Sequence, residues 1–301
     1  VTFTRVFDAL GVPEKIWLGY WSIVSVIWVA SARYVENFTE AAVQNSLLLA
    51  AIIVVPQFAQ RFGNIGRDLT RAALSFVSAW FGYERMGAFV AAFRTRSFEY
   101  EMLKIDEFLF GGNPSVWFEQ IQHPYISEYF QILYWFYFPQ MLLVGLTLIA
   151  LNKRRIFFRY VITMNLALMF THTFYFIVPL RSPFYIFELG EFTELISYST
   201  PLVGVFFFDT LRESLTSATT MRHDCFPSGH TMHSLLSLAF AWRAHKIAGV
   251  LETIVATSII ISTLYLRYHY AIDLVVGAVA AVGFYYLGGW ITQKTWRGEN
   301  S

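Results

Sequence analysis

Three short segments of this sequence combine histidine, arginine, serine and carboxylate side chains at spacings that suit nucleophilic and acid–base chemistry. They are residues 181–183 (Arg-Ser-Pro), 225–230 (Cys-Phe-Pro-Ser-Gly-His) and 267–273 (Arg-Tyr-His-Tyr-Ala-Ile-Asp). Each segment lies at the end of a long apolar run, where ionisable residues of membrane proteins are candidates for function. We therefore expect the three segments to form one site.

His269 and Asp273 are four residues apart, so on a helix their Cβ atoms share a face and lie about 5–6 Å apart. A carboxylate that accepts a hydrogen bond from one imidazole nitrogen leaves the other nitrogen free to attack. The spacing predicts His269 as a nucleophile and Asp273 as the residue that orients it.

Ser228 and Gly229 follow a proline and precede an apolar run, a pattern typical of a helix start. The backbone N–H groups and the dipole of such a start favour an anion such as phosphate, and the Ser228 hydroxyl adds a donor. His230, in the first turn, is placed to protonate a leaving oxygen. Arg181 is placed to hold the phosphate with its bidentate guanidinium fork. Histidines on opposite sides of one phosphate suit in-line displacement.

The composition indicates the elements that must position these residues. The chain has 301 residues, of which 56% are hydrophobic and only 14% charged, against about 25% charged in soluble domains. The mean hydropathy is +0.47. The net charge is +1 and basic residues form no long block, so we expect no nucleic-acid partner. The lone cysteine, Cys225, excludes an intrachain disulfide, and we expect it to be an unreactive packing residue outside any metal site.

We predict an all-α, polytopic transmembrane bundle of about eight spans, because a spanning helix needs about 20 mostly apolar residues. The candidate spans are Ile16 to Ala32, Val43 to Ala59, Ala72 to Phe93, Ile126 to Leu151, Ile156 to Leu180, His230 to Ala244, Ala248 to Leu266 and Tyr270 to Ile291. The chain then divides into N-terminal transmembrane helices (1–93), an outer-side amphipathic connection (94–125), a catalytic transmembrane core (126–293) and a cytoplasmic tail (294–301).

Clusters of arginine and lysine between the apolar runs predict the topology, because such clusters stay on the cytoplasmic side. The clusters lie at 61–71, 153–155, 243–246 and 294–297. Placing all four inside puts both termini inside and requires the stretch from Ala72 to Phe93 to span. Arg94, Arg96 and Lys104 then lie outside, which disagrees with the rule that basic residues stay on the cytoplasmic side. This topology places all three segments on the extracytoplasmic face of an integral protein of a plasma or inner membrane.

The second and third segments resemble two signature motifs of the type-2 phosphatidic acid phosphatase superfamily. The matching residues are Pro227-Ser228-Gly229-His230 and the pair His269 and Asp273. In that family the histidine of the third motif attacks phosphorus, its aspartate orients it, and the histidine of the second motif is the general acid. The resemblance implies these roles for His269, Asp273 and His230, within a six-helix core.

Two cations of the family pattern are missing. Phe174 stands where the first motif has a lysine, and Thr263 stands where the third motif has an arginine. Arg267, two residues before His269, is our candidate replacement as a phosphate ligand. This pattern is similar to the inositol phosphorylceramide synthase branch, whose third motif is close to residues 265–273 here, Tyr-Leu-Arg-Tyr-His-Tyr-Ala-Ile-Asp.

These observations predict a metal-independent and cofactor-free enzyme that takes a phosphoryl group from a membrane lipid onto His269. Water as acceptor makes it a lipid phosphatase, whereas a lipid alcohol makes it a phosphotransferase, and the sequence leaves both open. Two other classes stay open: a transporter, because Glu84 and Arg85 interrupt an apolar run, and a non-catalytic lipid-binding scaffold, because two cations are missing. The sequence does not indicate an oligomeric state.

Overall fold

The computed structural model describes residues 10–94, 96–218 and 222–296. The first nine residues of the predicted N-terminal helical segment lie outside the described residues. So do residues 297–301 of the predicted cytoplasmic tail, including Arg297.

The described residues form thirteen α-helices and no strand, which confirms the predicted all-α class. The helices are α1 (Val12–Ala30), α2 (Phe38–Ala59), α3 (Gly63–Phe93), α4 (Glu99–Phe110), α5 (Pro114–Trp117), α6 (Pro124–Trp135), α7 (Tyr137–Ala150), α8 (Arg154–Ile177), α9 (Pro183–Glu188), α10 (Phe208–Ala218), α11 (Gly229–Ala244), α12 (Lys246–Tyr265) and α13 (Ala271–Thr295).

Four of the described helices are long and apolar enough to cross a membrane: α2, α8, α12 and α13. Helices α6 and α7 pass the same test as a pair, but the chain bends by 52° between them. The structure therefore bears out a membrane-type helical bundle with four or five such spans. All eight predicted apolar stretches are helical, but the count of eight spans stays a prediction.

Helix α11 lies at the centre of the C-terminal half and packs against α7, α8, α12 and α13. Their shared core contains Leu148, Ala167, Met232 and Phe240, each at most 1% exposed. Helix α8 also packs against α1 and α3, so it joins the core to the N-terminal helices. The site residues at the end of α11 are thus surrounded by helices from both halves of the chain.

One expectation about the N-terminal half needs correction. Arg67 and Arg71 lie within the first turns of α3, because that helix begins at Gly63, where a loop was expected. Arg71 is buried and pairs with Glu14 at 2.8 Å. Arg85, which motivated the transporter alternative, is also buried and donates a hydrogen bond to Asn45 on α2. This pairing satisfies a buried charge between two helices.

The connection from Arg94 to Tyr125 is folded onto one end of the bundle. A turn follows α4, which ends at Phe110, and Gly111 and Gly112 have φ values of 76° and 156°. Asn113 then caps α5 by accepting a hydrogen bond from the Ser115 amide. The same end of the bundle carries all three segments that the sequence singled out.

Candidate active site

His269 lies in a tight turn between α12 and α13. The backbone amides of Tyr268 and His269 both donate to the carbonyl of Thr263, at 2.9 and 3.1 Å. Arg267 completes the turn with a φ of 66°, a left-handed conformation that is uncommon outside glycine. The turn fixes the backbone of His269 against the last turn of α12.

The predicted pair of His269 and Asp273 is formed. His269 Nδ1 lies 3.2 Å from Asp273 Oδ2, and both side chains are almost fully buried. The same carboxylate oxygen accepts a hydrogen bond from the amide of Tyr270 at 3.0 Å. Tyr270 is the N-cap residue of α13. This contact fixes the Nδ1 edge of the imidazole ring. The other ring nitrogen, Nε2, lies away from the carboxylate.

Cys225 is a third member of this cluster, in addition to its expected packing role in the buried core. Its Sγ lies 3.0 Å from Asp273 Oδ2, to which the thiol donates, and 3.4 Å from His269 Nδ1. The donor atoms of the three residues lie within 4.8 Å of one another. A thiolate, an imidazole and a carboxylate are ligands that a soft divalent ion accepts. The prediction of metal independence therefore stays a prediction.

His230 lies in the first turn of α11, with its ring between two tyrosines. The ring centroids of Tyr134 and Tyr137 each lie 4.2 Å from the imidazole, and Tyr134 stacks at 22°. The centroid of His269 lies 5.6 Å from that of His230. The two histidines, which are 39 positions apart in the sequence, are therefore neighbours, with their ring planes at 63°.

Ser228 and Gly229 connect the two histidine segments. The Ser228 hydroxyl caps α11 by accepting a hydrogen bond from the Thr231 amide, and its own amide donates to the Asp273 carbonyl. A Cβ at Gly229 would lie 3.0 Å from the Tyr175 hydroxyl, so glycine lets this phenol approach the helix start. Gly277 likewise lets α13 approach the Ser228 carbonyl.

Both histidines line one cavity of about 160 Å³. Its polar wall consists of six tyrosines, three histidines, Asp224, Cys225, Ser182 and Thr171; the tyrosines are Tyr83, Tyr134, Tyr137, Tyr175, Tyr185 and Tyr268. Among the described residues that line it, none is lysine or arginine. The cavity thus offers hydroxyl donors and imidazoles to an occupant.

Arg181, a predicted phosphate ligand, does not line this cavity. Its guanidinium donates to Glu99 at 2.8 Å and to both oxygens of Glu191, at 3.1 and 2.5 Å. Burial raises the pKa of Glu99, but hydrogen bonds from Ser97 and Arg181 outweigh that effect and lower it. In this arrangement the charge of Arg181 is matched by two carboxylates.

Arg267, the other predicted phosphate ligand, is also held away from the cavity. Its guanidinium carbon lies 3.8 Å from the centroid of the Tyr198 ring, and its Nη2 donates to the Thr200 carbonyl and to Glu119. The structure therefore brings together five of the seven predicted residues. Arg181 and Arg267 brace the surrounding turns, and their role as phosphate ligands stays a prediction.

Three further residues at the site have no strong signal in the sequence. Tyr83 of α3 donates to Asp224 at 2.5 Å, so an N-terminal helix contributes to the cavity wall. Asp106 of α4 accepts hydrogen bonds from the first two amides of α13. Asp224 directly precedes the second segment. A charged residue beside a candidate site in a membrane protein is the one feature of the sequence that indicates a role for Asp224.

The sequence profile of the PAP2 superfamily matches residues 101–287, well over half of the chain. The chain therefore belongs to this superfamily of type-2 phosphatidic acid phosphatases. The matched residues include α4 to α12 and most of α13, and they exclude α1 to α3.

A curated relative is a PA-phosphatase related-family protein of Dictyostelium discoideum. It is 29% identical over 100 residues, which are 33% of this chain and 18% of the relative. The match thus spans less than a fifth of that protein. No solved structure matches this chain.

Proposed function

We propose that this chain is an integral membrane enzyme that cleaves a lipid phosphate ester through a phosphohistidine on His269. The observation that carries the proposal is the pairing of His269 with Asp273 beside His230, with both histidines lining a single cavity. This arrangement supplies a nucleophile, an orienting carboxylate and a proton donor around one point.

In the first step, Nε2 of His269 attacks phosphorus while the bond from phosphorus to the lipid oxygen breaks. His230 gives its proton to the departing oxygen, and a lipid alcohol leaves. Asp273 accepts a hydrogen bond from Nδ1–H of His269 and stabilises the positive charge that develops on the ring. In the second step, water attacks phosphorus, His230 takes the proton of that water, and inorganic phosphate leaves the regenerated His269.

The phosphate oxygens need donors in a cavity whose described lining contains no lysine or arginine. The start of α11 supplies the amides of Gly229 and His230, and the hydroxyls of Tyr137 and Tyr175 lie beside Gly229. Hydrogen bonds from neutral donors at a helix N-terminus stabilise a phosphate in a site that excludes water. We propose this set as the phosphate cradle, with Ser228 fixing the helix start.

A second candidate is transfer of the phospho-headgroup to a lipid alcohol. The observation that favours it is the aromatic wall of the cavity, together with the burial of His269, which is only 2% exposed. A water-poor cavity of this kind gives a hydroxyl-bearing lipid an advantage over water as the acceptor. We further propose that the site opens on the extracytoplasmic face, in keeping with the predicted topology.

The purified protein should be incubated in detergent with a panel of lipid phosphates, and phosphate release should be measured. His269→Ala is the test variant. His245→Asn is the matched control, since His245 is exposed at the opposite end of α11 and only caps α12. We expect release by the wild type and the control and none by His269→Ala.

Labelled phosphate should be recovered on the wild-type protein after a rapid quench, in an acid-labile form typical of phosphohistidine. New phospholipid in place of free phosphate, when a lipid alcohol is added, would establish the transferase. Absence of both products in the wild type would overturn the proposed function.

A further inference from the structure

An apolar groove runs from the catalytic cavity into the bundle between α3, α7 and α8. Its lining includes one face of α3, with Ala72, Ser75, Phe76, Ala79 and Trp80, together with residues of α7 between Phe138 and Gly145 and of α8 between Phe157 and Leu168. Ser75, Tyr160 and Asn165 are the polar members of its described lining. The Tyr160 hydroxyl already donates to the Met141 carbonyl, so it is satisfied within the protein. The groove is suited to a hydrocarbon occupant.

The groove and the catalytic cavity adjoin one another. Ala79, Trp80, Phe138 and Leu168 line both of them. Phe138 lies across the junction, with its ring centroid 6.2 Å from that of Phe76 and 6.4 Å from that of Trp80. A molecule that holds its phosphate between the two histidines therefore extends into this groove without crossing a helix.

The length of the groove matches one leaflet. Phe157 and Leu168 are eleven residues apart on α8, which corresponds to about 16 Å along the helix axis. The hydrocarbon core of a bilayer is about 30 Å thick, so one leaflet contributes about 15 Å. The groove is thus about as long as one lipid chain, and it lies along the half of α8 nearer Arg154, deeper in the bundle than the catalytic cavity.

We propose that this groove binds one hydrocarbon chain of the lipid substrate, and that α3 sets the chain selectivity of the enzyme. The inference rests on the proposed function, because it places the phosphate of that lipid at His269. Helix α3 lies outside the residues that match the PAP2 superfamily, so this wall is supplied by the N-terminal helices of the chain. Ala79, 7% exposed, lies at the junction and Gly145 lies on the opposite wall.

The test compares hydrolysis of long-chain phosphatidic acid with that of dihexanoyl phosphatidic acid. Ala79→Phe fills the junction and Gly145→Leu fills the opposite wall. Val77→Phe is the control, since Val77 lies on the same helix and is 39% exposed, outside the groove. We expect kcat/KM for the long-chain lipid to fall at least about tenfold in both groove variants, because each buried methylene contributes to binding. In Gly145→Leu, whose site lies outside the catalytic cavity, hydrolysis of the short-chain lipid should remain close to that of the wild type. The control should match the wild type on both lipids.

An equal loss on both lipids in both groove variants would overturn the groove as a chain site, and so would no loss on either. Wild-type protein that hydrolyses neither lipid would instead refute the proposed function. Photo-crosslinking would then still test whether the groove binds a lipid chain, because it does not require turnover. Phosphatidic acid with a diazirine in the middle of one chain should label residues 72–80 or 138–145, and Gly145→Leu should abolish that labelling. Labelling confined to outward positions such as Val279 and Tyr286 of α13 would overturn the inference.

Discussion

The carboxylate of Asp106 lies 2.8 Å from the backbone nitrogen of Ala271 and accepts its hydrogen bond, although the two residues are 165 positions apart. Its other oxygen accepts a hydrogen bond from the Ile272 amide at 2.9 Å. These are the first two residues of α13, the helix that begins directly after His269 and carries Asp273. The connection from Arg94 to Tyr125, which carries α4, therefore fixes the helix start on which the predicted catalytic pair depends.

Asp106→Asn should make stability less dependent on pH. Burial, together with the nearby Asp273 carboxylate, raises the pKa of Asp106 to about 6, against two backbone hydrogen bonds that lower it. A carboxyl group whose pKa is raised on folding stabilises the protein most at low pH, and this contribution is lost as the pH rises through about 6. The advantage of the wild type over Asp106→Asn in thermal unfolding should thus shrink between about pH 4 and pH 7. An advantage that grows over this range would contradict the assignment.

The loss of activity in His230→Ala should depend on the leaving group of the substrate. The proposed acid is needed when the departing oxygen is a poor leaving group, and general acid catalysis contributes about 10²–10⁴-fold. We expect a loss in that range on phosphatidic acid and a much smaller loss on p-nitrophenyl phosphate, whose phenolate leaves without protonation. The comparison requires kcat on both substrates. Equal losses would indicate that His230 has a structural role between Tyr134 and Tyr137.

Asp273→Asn should lower kcat by about 100-fold or more with little change in KM, because it removes the carboxylate that orients His269. Cys225→Ala is the matched variant, since the thiol contacts the same carboxylate oxygen from the other side. We expect Cys225→Ala to retain most of the activity. A loss as large as that of Asp273→Asn would give the thiol a part in the reaction.

Arg181→Ala should lower stability more than it lowers substrate affinity. Glu99 is fully buried, so removal of Arg181 leaves a buried carboxylate without its cation. Breaking a buried ion pair in this way costs about 3–5 kcal/mol. The free energy of unfolding in detergent and KM for phosphatidic acid should be measured together. A raised KM with unchanged stability would support the phosphate-binding role that the sequence predicts.

Activity should survive incubation with EDTA, because the proposed nucleophile is a histidine and needs no metal-bound water. Cd²⁺ should inhibit, since Cys225, His269 and Asp273 present three donor atoms within 4.8 Å. Cys225→Ala should weaken that inhibition. Loss of activity in EDTA that Mg²⁺ or Zn²⁺ restores would contradict the phosphohistidine mechanism.

Much of the helical bundle and the local parts of the site follow from the sequence. Long apolar runs predict membrane helices because backbone polar groups in lipid must bond to one another. The contact of His269 with Asp273 was predictable from their closeness in the sequence, but His269 lies in the turn before α13, so the two do not share a helix face as the spacing of four residues suggested. The helix start at Ser228 was predictable for the same local reason, and the structure places it as the cap of α11.

The tertiary structure decided which distant groups meet. Tyr83 reaches Asp224 across 141 positions, and Arg181 reaches Glu99 across 82, through the packing of helices from both halves of the chain. The sequence pattern points to the two arginines near the site, but it does not identify the carboxylates that pair with them. The partner of a charged side chain depends on which helix ends lie side by side. Residue spacing determined the local pairs, whereas only helix packing determined the cavity, its tyrosine wall and the groove beside it.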